Sequence, residues 1–240
     1  MTNQTFLKNA NPRRHPVSTV AALAALLVFV TMLGGVVSHA AWLKQFDYAV
    51  RQIVFSWQPQ WWTRFVKVGT QLFNSRQVML ILLVCVLGLG FTASYRDASF
   101  ITATTITGVL LNTICKMLVR RPRPTDHVLM HYGSWSFPSG HSIAAMIICG
   151  CLIVIVWRHL PAGSGRAILT CLLAIVILFI GYSRVYVSAH YPSDVLGGWA
   201  LGYLVLLVSW HWFYGSMPNQ VRQRVHATKK PPVSHRRHHQ

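Results

Sequence analysis

Acidic residues are nearly absent from this chain. Its 240 residues include only four acids, all of them Asp, against 22 Lys and Arg, which gives a formal net charge of +18. Charged residues make up 11% of the chain, whereas 53% is hydrophobic and the mean hydropathy is +0.41. This composition excludes an ordinary soluble domain and is typical of an integral membrane protein. We expect the excess positive charge to meet anionic membrane lipids.

The chain also lacks a disulfide framework, a nucleic-acid-binding surface and internal repeats. Its five cysteines fall inside apolar runs without metal-site spacing, so we expect them to be small core hydrophobes. The basic residues form short clusters between apolar runs instead of one basic face, which excludes nucleic acid as the expected partner.

Long apolar runs predict an all-α fold, an integral membrane bundle of six transmembrane helices, since each run can cross about 30 Å of hydrocarbon. A cleavable signal peptide is the alternative for the first run, but that run exceeds the usual length of a signal-peptide core. A tight turn at Arg96 and Asp97 should join the second and third spans. The expected spans are about 17–40, 78–95, 100–119, 138–157, 167–187 and 192–214.

Residues 41–76 predict an interfacial segment between the first and second spans. Aromatic residues alternate there with Lys and Arg, a combination that suits the headgroup zone. We expect one or two amphipathic helices, broken near Pro59. An ordinary loop with some aromatics is the alternative, because no sharp periodicity distinguishes the two.

The distribution of Lys and Arg predicts the orientation. The N-terminal segment (1–16), the turn at Arg96, the loop at 158–166 and the basic tail (216–240) lie on one side of the expected bundle, whose single domain covers 17–215. The positive-inside rule makes that side the cytoplasm, so both termini should be cytoplasmic and the polar clusters should face outward from the cell membrane. The basic tail favours contact with anionic headgroups, and metal binding by its histidines is the alternative.

Three polar clusters, at residues 116–124, 138–141 and 183–194, should meet at that outer face, because consecutive spans run in opposite directions. Their cations suit an anion with several oxygens, since guanidinium groups match phosphate geometry. Ser139 and Gly140 begin a helix, so we expect their backbone N–H groups to be free to bind phosphate. Asp194 follows His190 by four residues and can fix the tautomer of that ring. The candidate site residues are Lys116, Arg123, Ser139, Gly140, His141, Arg184, His190 and Asp194.

Each cluster taken alone also has a structural interpretation. Lys116 and the arginines after it resemble cations that extend from a helix C-terminus to the interface. Ser139 resembles an N-cap, and His141 an interfacial histidine. His190 and Asp194 resemble a structural hydrogen-bonded pair. A functional site is favoured because the structural interpretation requires all of these groups to meet at one face by coincidence.

The clusters resemble the signature of the type 2 phosphatidic acid phosphatase family, whose three motifs read K-x6-R-P, P-S-G-H and S-R-x5-H-x3-D. They stand here without departure, at residues 116–124, 138–141 and 183–194. The motifs cover about residues 101–198, and the six-span layout extends the resemblance to the whole chain.

The resemblance implies a phosphatase that needs no metal or other cofactor. His190 would attack phosphorus and form a phosphohistidine, while Asp194 orients its ring. His141 would protonate the leaving group and then act as the base toward water. The phosphoryl oxygens would be held by Lys116, Arg123, Ser139, Gly140 and Arg184.

The motifs alone do not indicate the substrate, because similar motifs also occur in soluble phosphatases and haloperoxidases. The membrane spans narrow the choice of substrate. They favour a lipid phosphate that enters sideways from the bilayer, in a small bacterial enzyme. The candidates are undecaprenyl diphosphate, phosphatidylglycerophosphate and phosphatidic acid, of which the first two are expected as physiological substrates. The alternatives are a phosphotransferase that uses the same phosphohistidine and a non-catalytic lipid-binding or transport protein.

Overall fold

Eight helices and no strand make up the part of the chain that the structure, a computed structural model, describes: residues 16–92 and 94–215. The predicted all-α fold is confirmed. The N-terminal segment before residue 16 and the histidine-containing tail lie outside the described residues. The helices are α1 (Pro16–Val37), α2 (Ala41–Phe55), α3 (Gln60–Gln71), α4 (Ser75–Phe91), α5 (Tyr95–Val119), α6 (Gly140–His159), α7 (Ser164–Tyr186) and α8 (Pro192–Tyr214).

Five of these helices, α1, α5, α6, α7 and α8, are long and apolar enough to cross a membrane. The pair α3 and α4 passes the same test only together, with a bend of 58° between them, so there are up to six spans. The expected turn at Arg96 and Asp97 is wrong. Both residues belong to the first turn of α5, and Asp97 is buried because it bonds Tyr214 and His159 on neighbouring helices.

Local sequence explains where the helices at the polar face begin and end. Helix α5 stops at Val119, where Arg120 adopts a left-handed conformation (φ 48°) ahead of Pro122. Helix α8 begins at Pro192, because proline suits a first helical position. Asp194 then accepts from the backbone N–H of Tyr191, the N-cap residue, at 2.9 Å, as in a capping box.

Helix α6 lies at the centre of the bundle and packs against α5, α7 and α8. Small residues allow this packing, as expected where lipid tails surround the helices and close approach supplies the attraction. A Cβ atom at Gly198 of α8 would lie 2.8 Å from the carbonyl oxygen of Ser139. Only glycine therefore lets the N-terminal ends of α6 and α8 meet. Their shared core includes Phe100, Ile101, Ile143, Ile147, Cys151, Leu201, Val205 and Leu206.

The segment between α1 and α4 forms two helices, α2 and α3, separated at Pro59 as expected. Helix α3 packs against α7, where Trp62 donates to the hydroxyl of Tyr182 at 3.2 Å. Its other face exposes Trp61 and Phe65, which fits the predicted interfacial position. Of the cysteines, Cys149 and Cys151 are buried, whereas Cys171 is exposed on the outer surface of α7.

Candidate active site

The three polar clusters meet at one end of the bundle, where α5 ends, α6 begins, α7 ends and α8 begins. The loop from residue 120 to 139 closes over this end. His190, 2% exposed, lies in the short link between α7 and α8. Direct hydrogen bonds join it to Arg123 and Ser136. The expected convergence of the motifs is therefore present in the fold.

The hydrogen bonds of His190 define its tautomer. Its Nε2 lies 3.1 Å from Nη1 of Arg123, and a guanidinium can only donate, so Nε2 must accept. The ring proton is then on Nδ1, which faces Oγ of Ser136 at 3.4 Å and Oδ2 of Asp194 at 3.5 Å. Burial lowers the pKa of His190 to about 3, so the ring is neutral at pH 7. Nε2 is thus the unprotonated nitrogen of the ring, and its lone pair accepts from Arg123 in the free protein.

Asp194 is fixed from several directions. Its Oδ2 accepts from the hydroxyl of Ser136 and from the backbone N–H of Tyr191, while Oδ1 accepts from Nη1 of Arg121 at 2.7 Å. Arg121 also bonds the buried carboxylate of Asp47 on α2 at 2.7 Å. Burial alone would lower the pKa of Arg121, but the two carboxylates raise it above its ordinary value. The Asp194 carboxylate thus stays ionised and positioned beside His190.

Arg184 supplies hydrogen-bond donors that the protein leaves unused. Its side chain is fully buried, and Nη1 donates to the hydroxyls of Thr70 at 2.6 Å and Tyr132 at 3.0 Å. Among the described residues, its Nε and Nη2 have no hydrogen-bond partner. Buried donors without partners are costly, by about 1–3 kcal/mol each. A positive group in this state suits an oxyanion that is absent from the free protein.

Lys116 and Arg123 hold the loop that covers the site. The ammonium of Lys116 donates to the carbonyl of Trp135, and to that of Ser136 at 3.4 Å. Arg123 donates from Nε to the carbonyl of Ser134 at 2.6 Å. Burial and then the neighbouring charge of Arg184 lower the pKa of Arg123 to about 10, which leaves it charged at pH 7. Both side chains also line the catalytic cavity described below.

One expectation at the start of α6 is wrong. The backbone N–H of Ser139 is not free, because it donates to the carbonyl of Asp194 at 3.0 Å where α6 and α8 meet. The Ser139 side chain caps the helix by accepting from the N–H of Ser142 at 3.4 Å. The N–H of Gly140 has no partner among the described residues. The helix end can therefore offer an anion the amide of Gly140, but not that of Ser139.

His141 lies in the first turn of α6, with Nε2 at 2.9 Å from Oδ1 of Asn74. Both residues line a cavity of about 730 Å³, together with His190, Lys116 and Arg123. The far part of this cavity is apolar and runs between α4 and α5. Its apolar wall includes Val78, Met79, Leu82, Ile106, Val109 and Leu110. The cavity thus joins a polar end to an apolar groove.

Sequence reasoning missed six side chains that complete this arrangement. Asp47, Thr70 and Asn74 come from the segment before α5, which carries none of the three motifs. The scarcity of acids was the available signal for Asp47, since a buried carboxylate in so cationic a chain needs a specific partner. The missed residues are Asp47, Thr70, Asn74, Arg121, Tyr132 and Ser136.

Comparison with known proteins identifies the family of the chain. The model of the PAP2 superfamily matches residues 97–218, about half of the chain. The chain is 28% identical to phosphatidylglycerophosphatase B of Bacillus subtilis, over 77% of this chain and 91% of that protein. It is 30% identical to undecaprenyl-diphosphatase BcrC of the same organism, over 52% of this chain and 62% of that protein.

A solved structure shares the fold. The crystal structure of a transmembrane PAP2 type phosphatidylglycerolphosphate phosphatase from Bacillus subtilis matches with a TM-score of 0.74 and 25% identity, covering 80% of this chain and 95% of that one. The family predicted from the motifs is thereby confirmed. The chain belongs to the PAP2 superfamily and is a multi-pass membrane phosphatase that acts on lipid phosphates.

Proposed function

We propose that this phosphatase removes the terminal phosphate of a lipid phosphate through a phosphohistidine at Nε2 of His190. One observation carries the proposal: a neutral His190 lines the polar end of a cavity that continues into an apolar groove, and Arg184, which bonds Tyr132 of the same lining, has two buried donors without a partner among the described residues. A phosphoryl group offers oxygens to the cation and phosphorus to the ring nitrogen. The groove suits an acyl or isoprenoid chain.

In the first step, Nε2 of His190 forms a bond to phosphorus as the bond from phosphorus to the leaving oxygen breaks. The imidazolium that results keeps its Nδ1 proton, which faces Ser136 and Asp194. His141 in its protonated form gives a proton to the leaving oxygen, so the lipid departs as a neutral alcohol or as a lipid monophosphate. The cations hold the remaining phosphoryl oxygens as charge moves onto them.

In the second step, water replaces the lipid. Neutral His141 takes a proton from the water as its oxygen attacks phosphorus, the bond between phosphorus and Nε2 breaks, and inorganic phosphate forms. His190 returns to the neutral tautomer that Arg123 supports in the free enzyme. His141 ends protonated and is ready for the next lipid. Every proton and bond is accounted for without a further reactant.

We place phosphatidylglycerophosphate first among the substrates and undecaprenyl diphosphate second. The ranking rests on the relatives, since phosphatidylglycerophosphatase B matches over more of both chains than the undecaprenyl-diphosphatase does. We further propose that the site faces outward from the cell membrane, that both termini are cytoplasmic, and that anionic lipids contact the basic surface. The excess of Lys and Arg on the other side supports this orientation.

The proposal is tested with detergent-purified protein and three lipids, phosphatidylglycerophosphate, undecaprenyl diphosphate and phosphatidic acid, each with a chelator present. Phosphate release should continue with chelator, and an alkaline quench during turnover should trap phosphate on His190. The trapped amount should rise in His141→Ala when the leaving group needs no protonation, because only the second step then lacks its base. No release from any lipid would overturn the hydrolytic reaction. Release without a trapped intermediate would overturn the covalent route.

A further inference from the structure

Asn74 contacts the general acid from the bend between α3 and α4. It occupies the N-cap position of α4, where its backbone carbonyl accepts from the N–H of Val78 at 2.9 Å. Its side chain makes no capping hydrogen bond. Instead, Oδ1 lies 2.9 Å from Nε2 of His141, across 67 residues of sequence.

The choice of partner is informative because asparagine is one of the best N-cap residues. A side-chain cap stabilises a helix, and α4 forgoes that contribution. A carbonyl oxygen beside an imidazole N–H gives a hydrogen bond that strengthens when the ring becomes charged. The side chain is therefore placed where it stabilises His141 at the expense of the helix that carries it.

We propose that Asn74 is a positioning residue for the acid and base catalysis of His141. The inference rests on the proposed phosphohistidine mechanism. An amide oxygen can only accept, so the contact requires the proton of the neutral ring to be on Nε2 of His141. Nδ1 is then the nitrogen that gains and loses the catalytic proton. It has no protein partner among the described residues, which leaves it open to a leaving-group oxygen or to water.

The proton balance depends on this assignment. Protonated His141 carries hydrogen on both nitrogens, gives the one on Nδ1 to the departing oxygen, and keeps the one on Nε2 bonded to Asn74. In the second step Nδ1 recovers a proton from water. The bond to Asn74 persists in both states, so the ring keeps one orientation throughout turnover.

The same bend also contacts Arg184, one of the cations proposed to hold the phosphate. Thr70, four residues before Asn74 in the last turn of α3, accepts from Arg184 at 2.6 Å. The short link between α3 and α4 thus places one side chain on Arg184 and another on the acid. This segment lies outside the three motifs, and its contacts have a role distinct from theirs: they orient groups that touch the substrate.

The test compares Asn74→Ala and Asn74→Asp with Gln71→Ala, an exposed position in the same bend whose side chain makes no described contact with the site. We expect Asn74→Ala to lower kcat about 10- to 100-fold, since general acid and base catalysis contributes about 10²- to 10⁴-fold. KM and inhibition by inorganic phosphate should change less than about twofold, because the proposed phosphate-binding residues Lys116, Arg123 and Arg184 are intact. Gln71→Ala should match the wild type.

Asn74→Asp separates positioning from packing. A carboxylate still accepts from Nε2 and favours the charged ring, so this variant should keep most of the wild-type kcat and move the high-pH limb of its profile to higher pH. An unchanged kcat in Asn74→Ala would overturn the proposal. So would an Asp variant as slow as the Ala variant with an unshifted pH profile, which indicates a packing role. A wild type that releases no phosphate would instead overturn the proposed function itself.

Discussion

The two ends of the helix bundle both contain a buried aspartate, and they use it differently. At the end opposite the active site, Asp97 of α5 accepts from Tyr214 and from His159, and Nε of Arg158 lies 3.5 Å away. At the active-site end, two carboxylates face four cations. One of those cations, Arg184, keeps two donors unpartnered among the described residues. Those cations are Lys116, Arg121, Arg123 and Arg184, and the carboxylates are Asp47 and Asp194.

The difference distinguishes a structural cluster around Asp97, named the clasp, from a cluster with donors left for an anion. Around Asp97 each carboxylate oxygen has a donor, so the cluster is complete without a ligand and fastens the ends of α5, α6 and α8 together. At the active-site end, an added anion would satisfy the remaining donors. Composition alone does not distinguish the two clusters, since both combine His, Arg and Asp. The unpartnered donors of Arg184 distinguish them.

The largest expected effect comes from replacing the histidine at each end by alanine in turn. His190→Ala should lower phosphate release by at least about 10⁴-fold, because removing a nucleophile removes the covalent route. The matched variant His159→Ala should keep the rate per folded molecule within about twofold. Initial rates of phosphate release measure both. A comparable loss in His159→Ala would show that the opposite end also takes part in catalysis.

The two arginines sharpen the comparison further. Arg184→Lys should lower kcat/KM about 10²- to 10³-fold, since a lysine cannot reproduce the forked donors that face the oxyanion. Arg158→Lys should leave kcat/KM nearly unchanged. Inorganic phosphate should also raise the melting temperature of the wild type and of Arg158→Lys, but not of Arg184→Lys. Equal thermal protection of all three would place phosphate elsewhere.

Breaking the clasp should cost stability and spare catalysis. Asp97→Asn keeps the size of the side chain but removes the charge of a carboxylate that contacts His159 and pairs with Arg158. We expect a loss of about 1–2 kcal/mol, since the carboxylate is buried while Arg158 and His159 are partly exposed. Thermal unfolding in detergent measures the change, with Tyr214→Phe as a milder companion. A fall in kcat at a temperature where the protein stays folded would contradict a structural role.

The last expected effect concerns pH. Burial lowers the pKa of His190 to about 3, below the ordinary value near 6.5, so between these limits the unfolded chain binds a proton that the folded chain does not. The stability that this group contributes is complete above about pH 6.5 and is lost as pH falls toward 3. The expected slope is at most about 1.4 kcal/mol per pH unit. Melting temperatures across this range should fall less steeply in His190→Ala, and identical slopes would contradict the assignment.

Much of the fold was predictable because local chemistry determines it. Pro192 marks the observed start of α8, and α6 starts at Gly140, two residues after the expected start of that span at Pro138. The motif residues converge because alternating spans return them to one face. The turn at Arg96 was misplaced for a physical reason: charges usually mark a turn, but Asp97 has partners on α6 and α8 that make its burial favourable.

The supporting residues of the site could not be predicted from local patterns. Arg121 looked like a cation at a helix end, and only the fold brings it to Asp47 on α2, 74 residues earlier. Asn74 looked like a helix cap, and its side chain instead turns to His141. The free N–H of Ser139 was wrongly expected because the packing of α8 on that helix end is tertiary information. Partner choice over long sequence separations depends on packing, which spacing does not encode.

Arg123 and Tyr132 line two cavities, the catalytic one and a second of about 460 Å³ enclosed by loop residues 123–133 and the link before His190. The lipid would thus reach the site from the bilayer through the apolar groove, and dissolved phosphate would reach it from water through the second cavity. Turnover should then follow two concentrations in different units: the lipid as a mole fraction within the surface, and phosphate as molarity in water. Diluting the substrate with inert lipid at constant bulk concentration should slow the enzyme, while inhibition by dissolved phosphate should be insensitive to that dilution.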